Sequence, residues 1–387
     1  VKIAIVAPQV SAIREPQGGG SQTFVADLAR GLTGRGHEVH VYAATGSQIP
    51  GVTVIDTGVD PGSLLATLYR ADGLPPGNPD AAAHGPPPGN PDAAAQAFAS
   101  VYASVRQTRY DVVHNHAFDA PAIELADMAN APVVHTLHLP PEPAIAAALS
   151  KAAQGGQPPA VAGVSAFQAS AWARLARIDA ILPPYVPTRA IPWSAAVGNG
   201  AVFAGRLSPE KGAAEAIDIA QLAGIEIDVY GDAYDPDYAR ERIGPRRTLA
   251  GVRVHPGVPR TSVWTAMARA SVVLCPAGWD EPFGMAAAEA QACGTPVIAF
   301  NRGGLGEVVA DGVTGFLVAP DDVRGAADKV RRVMGISRAA CRGHAESNLD
   351  LERSLDAHEQ FYSRVVFARA GTADGAGTAD AAGTADG

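Results

Sequence analysis

Residues 271–296 read SVVLCPAGWDEPFGMAAAEAQACGTP, and the order of residue types in this stretch decides the fold. Ser271 to Pro276 is a short β-branched run bounded by proline, the pattern of a buried parallel strand. Pro282 stands where a helix can begin, and Met285 to Ala292 is a run of strong helix formers. Two carboxylates flank that start: Glu281 in the strand-to-helix turn and Glu289 two turns into the helix. The N–H groups of Phe283, Gly284 and Met285 would point out of the helix start, which favours an anion. Gly284 leaves room for a ligand to approach the backbone. A carboxylate beside such an end competes with a bound phosphate. A ligand carrying both phosphate and hydroxyls reconciles the two, because a carboxylate accepts O–H groups well. The plainer alternative is a helix-start Glu stabilised by the dipole and a solvated Glu on a helix face.

Working outward, the same strand–turn–helix pattern recurs. Lys2 to Ala7 is a first strand, followed by Gly18-Gly19-Gly20 and a helix carrying Phe24, Val25, Leu28 and Leu32 on one face, with Ser21 as its cap. Gly34-Arg-Gly36 ends that helix and EVHVYA, 38–43, is the second strand, which makes a βαβ unit and a doubly wound α/β class. These glycines do not spell G-x-G-x-x-G and no acidic residue ends the second strand, which argues against a dinucleotide dehydrogenase. Further strands fall at 110–116 (YDVVHNH), 132–138 (PVVHTLH), 201–204, 225–230, 252–255 and 295–300. His114, His116, His135 and His138 lie at two strand ends, where α/β proteins bind ligands, without the helix or finger spacing of a metal site.

After the 201–204 strand comes Gly205-Arg-Leu-Ser-Pro-Glu-Lys-Gly212. Two cations five residues apart at a strand tip can flank one diphosphate, Arg206 as a planar fork and Lys211 as a point charge. Lysine is rare in this chain, so its presence here is informative. The plainer alternative is an exposed basic turn.

Length and composition are those of two ordinary domains: 387 residues, 47% hydrophobic and 18% charged. A net charge of −9 argues against nucleic acid as a partner. Cys275, Cys293 and Cys341 have no metal spacing and read as buried thiols of a cytoplasmic protein. No leader or membrane span is read from the sequence. Residues 74–97 hold a near-duplicate of PPGNPDAAA, which reads as an expanded surface loop, and 182–198, with four prolines, reads as an interdomain linker.

E-P-F-G-M-A-A-A-E, 281–289, is similar to the E-x7-E signature of retaining glycosyltransferases of family 4, and 205–212 closely matches that family's G-R-L-x-x-E-K-G. The G-G-x loop at 18–20, D-V-V-H-x-H at 111–116, Val164-Ser165, Gly257-Val258-Pro259, Arg302-Gly-Gly304 and D-G-V-T-G-F-L-V at 311–318 resemble its other landmarks, in order. The family's N-G-V segment is replaced by Pro184-Tyr-Val-Pro187.

The resemblance implies the GT-B fold: two Rossmann-like domains facing across a cleft. Residues 1–185 would bind the acceptor and 186–345 the donor. A helix at 346–366 would cross back to the first domain, and 367–387 would be a disordered tail. It implies a hexose moved from a nucleotide-diphosphate sugar, UDP-glucose or UDP-N-acetylglucosamine, to a hydroxyl of a small soluble acceptor, with no metal or cofactor. Catalytic roles would fall to His116, Glu281, Arg206 and Lys211. Donor contacts would come from Gly19, Gly20, Arg206, Lys211, Val258, Glu281, Phe283, Gly284, Met285 and Glu289, with His138 on the acceptor side. In that family Glu289 would hold the nucleotide's ribose. Residues 1–185 hold ten Lys or Arg against fourteen Asp or Glu, a net of about −4, which disfavours an anionic lipid acceptor. The composition is similar to antibiotic-pathway members that glycosylate an aminocyclitol such as 2-deoxystreptamine. A lipid or polysaccharide acceptor, or a nucleotide-sugar-binding protein without turnover, are the alternatives.

Overall fold

The computed structural model describes residues 1–16, 19–61, 64, 91–155 and 158–377. Short β-branched runs form two parallel sheets, whose central strands are buried because helices cover both faces. The first sheet holds β1 (Lys2–Val6), β2 (Glu38–Ala43), β3 (Thr53–Asp56), β4 (Val112–Asn115), β5 (Val133–Thr136), β6 (Ala160–Gly163) and β7 (Ala180–Ile181), in the order 3-2-1-4-5-6-7. The second holds β8 (Ala201–Ala204), β9 (Ile227–Tyr230), β10 (Val252–His255), β11 (Val272–Cys275), β12 (Val297–Phe300) and β13 (Gly315–Val318), in the order 10-9-8-11-12-13. Strand order reverses at β1/β4 in one lobe and at β8/β11 in the other. Ligands bind outside the carboxyl ends of strands at such points. The 271–296 stretch folds as read, with β11 followed by a helix at Met285–Ala292.

Four helices carry the site: α1 (Gly20–Gly34), α2 (Arg260–Arg269), α3 (Met285–Ala292) and α4 (Leu351–Gly377). Gly19, not Ser21, is the N-cap of α1, so the start of that helix is bare backbone. The crossing segment is two helices rather than one. Arg338–Asn348 packs on the second lobe, where Arg338 donates to the carbonyls of Ser194, Ala268 and Ala270 at 2.7–2.8 Å. The chain breaks at Leu349 and Asp350, and α4 then lies on the first lobe. Its Leu351, Leu355, Phe361 and Tyr362 join that lobe's core, while Arg35 of the α1 C-cap meets Glu352, Asp356 and Glu359 at 2.6–2.7 Å.

Two expectations need correction. The 367–387 segment is not wholly an irregular tail, because α4 continues to Gly377; residues 378–387 lie outside the described residues. The duplicated stretch is not a loop to its end. Pro91–Val105 is a helix whose Ala94 and Phe98 are buried, and 74–90 lie outside the described residues. The helix can form because PDAAAQAFASVYASV places its apolar residues three and four apart, which the Pro/Gly-rich context obscures. No described helix is long and apolar enough to cross a membrane.

Candidate active site between the lobes

A cavity of about 660 Å³ lies between the two sheets, lined by residues just past the carboxyl ends of strands and by the starts of α1, α2 and α3. Its first-lobe wall includes Ser11, Gly19, Gly20, Gln22, Phe118 and His138, and its second-lobe wall Arg206, Lys211, Val258, Arg260, Glu281 and Glu289. Phe283, Gly284 and Met285 also reach it. Every residue expected at the donor site from the sequence therefore lines one space.

The second-lobe wall is organised around a shared charge. Lys211 Nζ donates to both oxygens of Glu281 at 2.9 and 2.7 Å and lies 5.0 Å above the Trp279 ring, whose Nε1–H donates to Glu281 Oε2 at 2.9 Å. Burial alone would push the Glu281 carboxyl up; the Lys211 charge, hydrogen bonds from Lys211 and Trp279, and Arg206 further off outweigh it and hold the pKa below the ordinary range. Arg206 donates to Glu210 at 3.0 Å and its guanidinium stacks 4.4 Å over Tyr234. Backbone fit fixes the loop that carries both cations. Gly212 has φ +75°, and a Cβ there would lie 1.9 Å from the Pro276 carbonyl oxygen, so the loop seats directly on the exit of β11. Gly284, at φ +106°, turns the chain into α3.

On the opposite wall, Gly19 and Gly20 present the start of α1. Met285, from the second lobe, packs against the core clusters of both lobes and meets Gly20, where a Cβ would come 3.2 Å from its sulfur. The anion-favouring end of α1 and the two cations thus line opposite walls of one cavity.

The histidines depart from expectation. His116, expected at the reaction centre, is fully buried and does not line the cavity. Its backbone N–H continues the β1 pairing by donating to Val6 O at 2.8 Å, and the two-residue strand period puts its ring on the same side as His114, 3.9 Å away. His138 stands at the cavity wall in its place, with Nε2 2.9 Å from His116 Nδ1. Behind them His114 bonds Tyr362 Oη at 2.6 Å and Thr136 Oγ1 at 2.7 Å, and His358 of α4 completes the cluster. Burial holds all of these imidazoles neutral, with His135 pushed down to about 3 and His358 to about 4. Of the two, only His138 lines the cavity, with His116 directly behind it.

Three participants were not found by sequence reading: Trp279, Arg260 and Asp27. Arg260 donates to Glu289 at 2.5 Å and to Asp27 of α1 at 2.6 Å. Trp279 sits two residues before Glu281 and could have been noticed. Nothing in spacing relates Arg260 to Asp27, 233 positions away.

Two facing doubly wound lobes with cations on one and a glycine-started helix on the other form a cleft of the glycosyltransferase type. Comparison with known proteins agrees. Residues 18–188 match the model of "Glycosyltransferase Family 4" and residues 198–342 that of "Glycosyl transferases group 1". A D-inositol 3-phosphate glycosyltransferase of Xylanimonas cellulosilytica is 30% identical over 83% of this chain and 85% of its own length. Glycogen synthase of Mycobacterium tuberculosis is 33% identical, but over only 42% of this chain and 41% of that protein. Among solved structures, an Anabaena protein in complex with UDP and glucose superposes with a TM-score of 0.69 at 19% identity, covering 93% of this chain and 99% of that one. The chain belongs to glycosyltransferase family 4, with the GT-B architecture.

Proposed function

We propose that this chain moves a hexosyl group from a nucleotide-diphosphate sugar to a hydroxyl of a small acceptor held by the first lobe, with retention at the anomeric carbon. The observation that carries the reading is the placement of Arg206 and Lys211 opposite the Gly19–Gly20 helix start across one cavity. A diphosphate between them meets side-chain cations on one side and main-chain N–H groups on the other. UDP is the nucleotide proposed, with glucose or N-acetylglucosamine as the sugar; the UDP-bound structural neighbour supports the base.

In the step itself, the bond from the anomeric carbon to the diphosphate oxygen breaks while the acceptor oxygen bonds to that carbon on the same face. The acceptor proton passes to the departing phosphate oxygen. Negative charge grows on the diphosphate, so Arg206 and Lys211 stabilise the transition state more than the ground state. Lys211 is already held by Glu281, which fixes its ammonium without rotamer search; Glu281 in turn offers an acceptor to sugar hydroxyls. Glu289 takes the ribose hydroxyls, and His138, backed by His116, faces the sugar or the acceptor.

An aminocyclitol such as 2-deoxystreptamine suits the acidic balance of residues 1–185, and the relatives' name makes an inositol phosphate the natural comparison. The test is a matrix of UDP-glucose and UDP-N-acetylglucosamine against 2-deoxystreptamine, D-inositol 3-phosphate and neutral sugars, with products read by mass. A glycosylated product together with UDP release supports the reading. Nucleotide binding with neither product nor slow donor hydrolysis would make the chain a binding protein.

A further inference from the structure

The Arg260 guanidinium joins the two lobes at the cavity wall. Its Nε–H donates to Glu289 Oε1 of α3 at 2.5 Å and an Nη1–H to Asp27 Oδ2 of α1 at 2.6 Å, while the plane stacks 4.6 Å from the Trp264 ring. Its backbone N–H adds a bond to Glu15 of the first lobe at 3.2 Å. Asp27 is 3% exposed and Glu289 8%. Burial works against the charge of Arg260, and Glu289 and Asp27 outweigh it.

Separating the lobes would strand no charge. Asp27 keeps Arg30, whose Nη2 donates to its other oxygen at 2.6 Å, and Arg260 keeps Glu289 within the second lobe. A bond that can break while each half stays neutral suits a reversible latch, because the usual cost of an orphaned buried ion does not arise. Among the described residues no donor reaches Glu289 Oε2, so the oxygen next to the one Arg260 fixes remains open to hydroxyls. Glu307, which accepts across the lobes from the N–H groups of Ala166 and Phe167 at 2.9 and 2.6 Å, does not line the cavity and has no such link to the donor wall.

We propose that Arg260 is a positioning residue that makes occupancy of the Glu289 subsite and closure of the lobes one event, orienting the carboxylate that takes the ribose diol while pinning it to α1. The proposal rests on the nucleotide-sugar reading above for the identity of the ligand. A ribose on Glu289 favours the carboxylate orientation in which Arg260 also reaches Asp27. The Gly19–Gly20 amides, on the same α1, are thereby brought to the diphosphate.

The test uses the full chain, UDP as the probe, calorimetric titration and solution X-ray scattering. Asp27 does not line the cavity, yet Asp27→Asn is expected to weaken UDP binding about tenfold, the scale of an ordinary coupling between sites, and to raise the radius of gyration. Arg260→Met should weaken it at least as much, Arg260→Lys should recover part of the loss, and adding Asp27→Asn to Arg260→Met should cost less than about twofold more. Wild-type UDP affinity in Asp27→Asn, or additive losses in the double variant, overturns the coupling even if thermal stability falls. If Asp27→Asn does not fold, equal UDP affinity of Arg260→Met and wild type overturns it. Should wild type bind no UDP, the donor reading fails by itself; the latch is then decided by whether Arg260→Met opens the lobes in scattering.

Discussion

Lowering the pH from about 7.5 to about 5.5 is expected to destabilise the first lobe by roughly 5 kcal/mol, and the cause is the imidazole cluster. His114, His116 and His358 are 0% exposed and His135 is 1% exposed, and burial pushes every one of them below its ordinary value. In the unfolded chain each titrates near the usual 6.5, so below that pH the unfolded state binds protons that the native state refuses. Stability therefore falls as pH falls through about 6.5, not only in the carboxylate range. Each such histidine forfeits about 1.4 kcal/mol between pH 7.5 and 5.5, so four forfeit roughly 5 kcal/mol. That is comparable with the whole net stability of an ordinary domain, about 5–15 kcal/mol. His138, pushed down to about 3, and His40 and His344, also lowered by burial, add loss of the same sign, so four histidines are a minimum; Glu281 and Glu359, held low by their cationic partners, contribute only at lower pH. The measurement is urea unfolding followed by circular dichroism at half-unit pH steps, with His358→Phe as the control. The four histidines should contribute an average slope of about two protons across the window, rising to about 3.6 at pH 5.5, and the variant should lose about one proton of that limiting slope. A slope of one proton or fewer would show that these imidazoles are solvated, and the account of the cluster would fail.

Lys211→Met should lower turnover by about a hundredfold to a thousandfold, since a pre-placed cation at the leaving group is removed. It should also cost about 1–3 kcal/mol, below the usual price of breaking a buried pair, because the Lys211 side chain is 23% exposed and Glu281 16%. Turnover within tenfold of wild type in a donor-and-acceptor assay would remove Lys211 from the chemistry. Gly212→Ala should destabilise the second lobe by about 2–4 kcal/mol, through a positive φ and overlap with the Pro276 carbonyl. An unchanged urea midpoint would mean that the cation loop is not seated on β11.

Residues 271–296, 205–212 and the strand runs were legible because their signals are local: β-branched strands, a proline at a helix start, glycines and paired cations. From them came most strands of both sheets, though not Thr53–Asp56, Ala160–Gly163 or Ala180–Ile181, and the second-lobe wall of the cavity, with Glu281, Glu289, Arg206 and Lys211 in one space. Pro91–Val105 is helical although it begins inside a Pro/Gly-rich duplication, because Ala94 and Phe98 pack into the first lobe; α4 also runs past residue 366.

What the chain alone could not decide was which side chains face the ligand and which stand behind them. His116 and His138 look equivalent as strand-end histidines; only the continuation of β4 against β1 turns one inward and leaves the other at the cavity. Asp27, Arg260 and Glu289 carry no shared motif and meet only when α1 of one lobe closes on α2 and α3 of the other. The physical reason is range. Backbone propensity and apolar periodicity act over a few residues and are written in the sequence, whereas burial, charge pairing and ring orientation belong to pairs that the folded chain brings together.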